Sequence, residues 1–362
     1  MSDREEAMRQ FLNGAGWGGA RVTPLPGDAS TRRYFRVAHG SRKAMLMDQP
    51  QHAESSVAAA HATPEERHAL GYNAVARLAG ADVARFVAAS QFLRKQGLSA
   101  PDIYVADPKQ GFALIEDLGD ALYADVLADG GDAHELYSAA IDALARLHNE
   151  RAPALLPPDK PLHAFDETAL VAETDLMTEW YMPLALGRAA TGDETAEHRA
   201  RWRQVLDPVL AAEPVFVHRD YHAQNLLWLP ERDGLAKVGL IDFQDAVAGT
   251  RSYDLISLIE DARRDVDPAL AEAMTRRYIA ATGADDARHR AEMAVMAAQR
   301  NAKIAGIFAR LHKRDGKPRY LDYLPRVWGY LNKDLEHPAL APLKAWYDRA
   351  IPMEARGRPR DA

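Results

Sequence analysis

One spacing constrains this chain more than any other. HRDYHAQN at 218–225 is followed by LIDFQD at 240–245, so that Asp220, Asn225 and Asp242 recur in the order D-x4-N, then seventeen residues to a second aspartate. This is the set that phosphoryl transfer from ATP requires: one carboxylate to meet the acceptor hydroxyl and two oxygen ligands to hold Mg2+ against the phosphates. The residues between them explain the spacing. LLWLP (226–230) reads as a short strand, ERDG (231–234) as a turn with its glycine in the left-handed region, and LAKVGLID (235–242) as the returning strand. An antiparallel hairpin brings its open ends together, which delivers a carboxamide and a carboxylate to one point. Mg2+ favours few hard oxygen ligands, with phosphate and water completing the shell.

Composition narrows the class. A chain of 362 residues is long enough for two domains and a sizeable core. Forty-five Lys and Arg against 52 Asp and Glu give a net charge of −7, which argues against nucleic acid as the main partner. With no cysteine, neither a disulfide framework nor a thiolate metal site can form. The polar start MSDREEAMRQFL lacks an apolar signal core, and no run of eighteen apolar residues occurs, so a cytoplasmic protein with no membrane partner is expected. His218 and His222 flank Asp220, but on a loop and without H-E-x-x-H, so zinc is not expected there.

Along the chain, TRRYFRVA and KAMLMD alternate as half-buried strands, and PDIYVADPKQGFALIEDLG (101–119) reads as two more strands joined by a DPKQG turn. ATPEERHALGYNAVARLA starts as a helix at Thr-Pro, and DVARFVAASQFLRKQG (82–97) is an amphipathic helix ending at Gly97. From Ala121 onward the pattern is mostly helical, interrupted by the 215–245 region. Asp254 is expected to anchor the catalytic loop through backbone hydrogen bonds, and Met293 and Met296 are expected in the core.

GDASTRRYFRV (27–37), LMDQP (46–50), GFALIEDLG (111–119), HRDYHAQNLLWLP (218–230), GLIDFQDAVAGTRSYDLISLIEDA (239–262) and QRNAKIAGIFARLHKRDGKPRYLDYLP (299–325) together resemble the aminoglycoside phosphotransferase and choline kinase superfamily over roughly residues 20–330. The 299–325 segment makes them most similar to the anomeric N-acetylmuramate and N-acetylglucosamine kinases of bacterial cell-wall recycling. The resemblance implies an α+β, bilobal protein-kinase-like fold. A small antiparallel-sheet lobe for nucleotide (1–118) precedes a large, mostly helical lobe (119–362) carrying the catalytic loop and acceptor site. It implies a monomeric sugar kinase using ATP and Mg2+ to phosphorylate the carbon 1 hydroxyl of an amino sugar. Asp220 would be the base, and Asn225 and Asp242 the Mg2+ ligands.

For the nucleotide it points to Ser30, Thr31, Arg33 and Lys43, with Glu116 and Leu118 in the linker that meets adenine; for the acceptor it points to His222, Gln244, Asp245, Glu173, Tyr181 and Arg300. One departure stands out. The third strand of such folds carries a central lysine that orients phosphates, and here that strand reads KAMLMD, with Met45 or Met47 at the centre and Lys43 at its start. Either Lys43 is recruited, an arginine such as Arg33 substitutes, or the role is absent.

Overall fold

A computed structural model describes residues 3–26, 32–50, 58, 59, 61–78 and 82–357. The chain divides into two compact units. One comprises Met1–Ala143, Pro153–His163 and Ala223–Ala246; the other comprises Leu144–Ala152, Ala164–His222 and Val247–Ala362.

The first unit is built on a five-stranded antiparallel sheet. Its strands are β1 (Arg21–Pro24), β2 (Arg33–His39), β3 (Arg42–Asp48), β4 (Ile103–Asp107) and β5 (Phe112–Ile115), ordered β1-β2-β3-β5-β4. Alternation assigns its two faces. Val37, Ala44, Leu46, Phe112 and Leu114 pack with Met8, Phe11, Leu12 and Trp17 in one apolar cluster. Met8, Phe11 and Leu12 come from an N-terminal helix, α1 (Asp3–Gly14), which the sequence reading left unassigned. Arg4 of α1 bonds the fully buried carboxylate of Asp48 and lies 3.8 Å over the Phe112 ring, so one side chain ties helix to sheet. The opposite face carries Tyr34, Arg36, Met45, Met47, Ala113 and Ile115, with Tyr34 opposite Met47 and Arg36 opposite Met45. The expected helices form at Pro64–Leu70, where Thr63 and Glu66 complete a capping box, and at Val83–Lys95, capped by Asp82.

In the second unit a 28-residue helix, Asp286–Lys313, is the central strut. It packs against Glu167–Leu176, Ser252–Ile259 and Leu324–Asp334. Met293 and Met296 lie in its buried stripe. Gly306 on this strut permits the closest approach: a Cβ there would lie 2.5 Å from the Leu176 carbonyl carbon and 2.6 Å from its oxygen. Backbone cannot yield as a side chain would, so Gly306→Ala is expected to lower stability by about 1–3 kcal/mol. Urea unfolding followed by circular dichroism measures it. Leu176 is also where the regular helix gives way to a π-helical turn, Met177–Tyr181, a distortion that often marks functional regions. No described helix is long and apolar enough to cross a membrane.

Candidate active site

In the first unit the predicted ribbon forms. Leu226–Trp228 pairs antiparallel with Val238–Leu240, Leu226 facing Leu240, and the Ile241 N–H donates to the Asn225 carbonyl at 3.1 Å. Asn225 therefore sits at one open end and Asp242 one residue beyond the other. Gly234 in the turn has φ +56, as its place requires. The returning strand is shorter than the sequence suggested, because Gly234–Lys237 coil into a 3-10 turn before the ladder begins. Leu226, Leu240 and Phe243 are buried, whereas Asn225 and Asp242 remain half-exposed. Apolar anchors thus fix the ribbon and leave its polar ends accessible.

Asp242 has φ +63, a conformation that costs a non-glycine residue about 1–3 kcal/mol and persists only where surroundings enforce it. Three arginines supply that enforcement. Arg32 donates from Nη2 to Asp242 Oδ1 at 2.7 Å and from Nη1 to Gln244 Oε1 at 2.5 Å, while Gln244 Nε2 donates to the same Asp242 oxygen at 3.0 Å. Arg77 pairs with Asp245 at 2.8 Å. Arg85 donates to the carbonyls of Gln244 and Ala246 at 2.9 and 2.5 Å, and Phe86 stacks on Phe243 with centroids 4.9 Å apart. Sequence reasoning missed Arg77 and Arg85. The available signal for Arg85 was a cation among the apolar positions Val83, Phe86 and Ala89, where a charge must find partners.

In the second unit the loop that carries Asp220 leaves a short strand, Val215–Val217, paired with Val247–Gly249. Asp254 anchors the loop as expected: its carboxylate accepts the N–H groups of His218 at 2.6 Å and Arg219 at 2.9 Å. Arg219 has φ +76, a second left-handed residue in the motif. Its guanidinium pairs with Glu173, a carboxylate only 1% exposed that also receives Lys303 at 2.9 Å and the Gln299 amide at 3.0 Å. Burial pushes the Glu173 carboxyl upward, but Lys303 and Arg219 outweigh it, and the group titrates below its ordinary value. Lys303 donates to the Tyr253 hydroxyl at 2.9 Å. Burial opposes its charge, yet Glu173 and Tyr253, with a smaller contribution from Asp220, hold it protonated. Asp220 is half-exposed between the buried Arg219 and Tyr221, and its carbonyl accepts the His222 N–H at 3.0 Å.

The other sequence candidates are distributed unevenly. Ser30 and Thr31 lie outside the described residues. Arg33 pairs with Asp48, and Lys43 is exposed opposite Ala38. Glu116 is engaged by Arg232 at 2.6 Å and accepts the Asp102 N–H at 3.2 Å. Leu118 is half-buried, and among the described residues its N–H makes no hydrogen bond. His222 and Gln244 are buried at 6% and 2% exposure, and Asp245 is half-buried. Tyr181 is fully buried, and its hydroxyl donates to the Ala355 carbonyl and accepts the Gly357 N–H, both at 2.7 Å, which fastens the C-terminal segment. Arg300 is buried against the Ser257 hydroxyl at 2.9 Å and the Glu260 carbonyl. Among the described residues no group of three or more His, Cys, Asp or Glu side chains is arranged to hold a metal ion.

The chain matches the model of the phosphotransferase enzyme family over residues 21–294. The N-acetylmuramate/N-acetylglucosamine kinase of Caulobacter vibrioides is 46% identical over 362 residues, covering 98% of this chain and 99% of that one. A kinase of the same name from Pseudomonas aeruginosa is 35% identical, covering 94% and 92%. A choline/ethanolamine kinase family protein from Mesorhizobium loti, 15% identical, aligns over 95% of this chain and 98% of its own with a TM-score of 0.58, which shows the shared kinase-like fold. With the family model spanning most of the chain and curated kinases matching it almost end to end, the chain belongs to the phosphotransferase enzyme family and is a small-molecule kinase.

Proposed function

We propose that this protein is an ATP- and Mg2+-dependent sugar kinase that phosphorylates the anomeric, carbon 1 hydroxyl of N-acetylmuramate, N-acetylglucosamine or both, in the recycling of cell-wall sugars. The observation that carries the substrate is the 46% identity to the Caulobacter vibrioides kinase along the whole of both chains. The chemistry rests on the trio. Asp220 accepts the proton of the sugar hydroxyl as its oxygen bonds the γ-phosphorus, the bond from that phosphorus to the β-bridging oxygen breaks, and ADP departs.

Asn225 and Asp242 fit Mg2+ by donor type and number: two oxygen-bearing side chains, half-exposed at the end of the ribbon. When bound, the metal neutralises charge on the phosphate oxygens. The linker supplies the adenine contact through Glu116 and Leu118, and the open Leu118 N–H supports that reading. On the acceptor side we retain His222. Gln244 acts by fixing Asp242, Asp245 by pairing with Arg77, Glu173 by fixing Arg219, and Tyr181 and Arg300 by holding the helical core.

ADP release tests the reading across N-acetylmuramate, N-acetylglucosamine, an aminoglycoside, choline and homoserine. The expected result is a kcat/KM on an N-acetylated amino sugar at least tenfold above every other acceptor, abolished by excess EDTA. Turnover confined to the aminoglycoside, choline or homoserine would replace it with another small-molecule kinase.

A further inference from the structure

The third strand poses a physical problem: bound triphosphate needs a fixed cation that β3 does not provide. The face of the sheet opposite α1 presents Met45 and Met47 at the centre of β3. Lys43 shares that face but lies four residues from Met47, about 13 Å along the strand. Arg36, also on this face, is held by Asp117 and Asp120, each at 2.7 Å. Arg33 pairs with Asp48. Arg32 stands differently. Its side chain is 5% exposed, and Nη1 lies 3.4 Å from the Tyr34 hydroxyl, which itself lies 3.6 Å from the Met47 sulfur. A lysine at position 47 would bring its charge to this neighbourhood. From there Arg32 reaches Asp242, 210 residues away in the chain, and Gln244.

We propose that Arg32 supplies the cation missing from the third strand, holding the Asp242 carboxylate and binding the phosphate oxygens of the nucleotide from the same place. A planar guanidinium can serve a carboxylate and a phosphate together, which an ammonium does less well. Arginine here replaces the charge of the absent lysine and adds a direct bond to Asp242. The inference rests on the ATP- and Mg2+-dependent reading above.

Calorimetric titration separates phosphate recognition from the rest of the nucleotide site. Wild-type protein, Arg32→Met and Arg32→Lys are titrated with a non-hydrolysable ATP analogue plus Mg2+, and separately with adenosine, after thermal melts show that each is folded; Arg32→Gln replaces the methionine variant if that one melts early. Arg32→Met should weaken the analogue at least tenfold while changing adenosine binding less than twofold, and Arg32→Lys should recover part of the loss. A loss smaller than fivefold relative to adenosine, or an equal loss for both ligands, overturns the assignment. Wild-type protein that binds neither ligand refutes the ATP-dependent reading instead, so the two failures are distinguishable.

Discussion

Asp220→Asn is expected to lower kcat by about 10²–10⁴-fold, the range a positioned general base contributes, while leaving nucleotide binding and the melting temperature close to wild type. The reasons are local. Asp220 is half-exposed, so replacing one oxygen by an amide leaves no new buried group unsatisfied. The loop around it is fixed by other atoms, namely the Asp254 carboxylate on two backbone N–H groups and the Arg219 side chain on Glu173. Steady-state kinetics paired with nucleotide titration checks this. Equal loss of turnover and binding would mean that Asp220 organises the site instead of acting on the acceptor.

The largest effect on stability is expected at Glu173. A single buried carboxylate there balances Arg219 and Lys303. Glu173→Ala leaves both cations in a dry interior without their common partner, and breaking a buried pair in this way costs about 3–5 kcal/mol. Since Arg219 precedes the proposed base, turnover should fall together with stability. The pH dependence follows from the depressed carboxyl. Its ion pairs contribute stability in full above the ordinary glutamate range, and that contribution disappears as pH falls through the lower value of the folded state. Denaturant midpoints from pH 7 down to pH 3 should therefore drop for wild type, and the gap between wild type and Glu173→Gln should narrow at the acid end. A constant gap would place the Glu173 effect in packing instead of charge.

The ribbon was legible because its determinants are adjacent in sequence: alternating apolar residues, a turn glycine and two polar ends within eighteen positions. The same locality made the DPKQG hairpin and the Val83–Lys95 helix readable. Helix α1 also carried a local signal, since Met8, Phe11 and Leu12 fall at helical spacing, but the polar residues between them masked it. What could not be read was pairing between distant positions. Arg32 and Asp242 are 210 residues apart, and Arg219 and Glu173 are 46 apart. No periodicity encodes such contacts. The chemistry of Tyr181 and Arg300 suits a sugar, yet chemistry does not say which way a helical side chain points. Both lie on helices buried on more than one side, where a hydroxyl or guanidinium serves neighbouring backbone.

The central claim is that this chain transfers phosphate to an anomeric oxygen, and the position of the phosphate tests it most directly. N-acetylmuramate or N-acetylglucosamine labelled with 13C at carbon 1 is incubated with protein, ATP and Mg2+ and followed by 13C and 31P NMR. The account predicts a carbon 1 resonance split by phosphorus that grows in step with ADP and is absent with Asp220→Asn. ADP formation with phosphorus coupled to another carbon, or an unsplit carbon 1 signal in both sugars after full turnover, would contradict it.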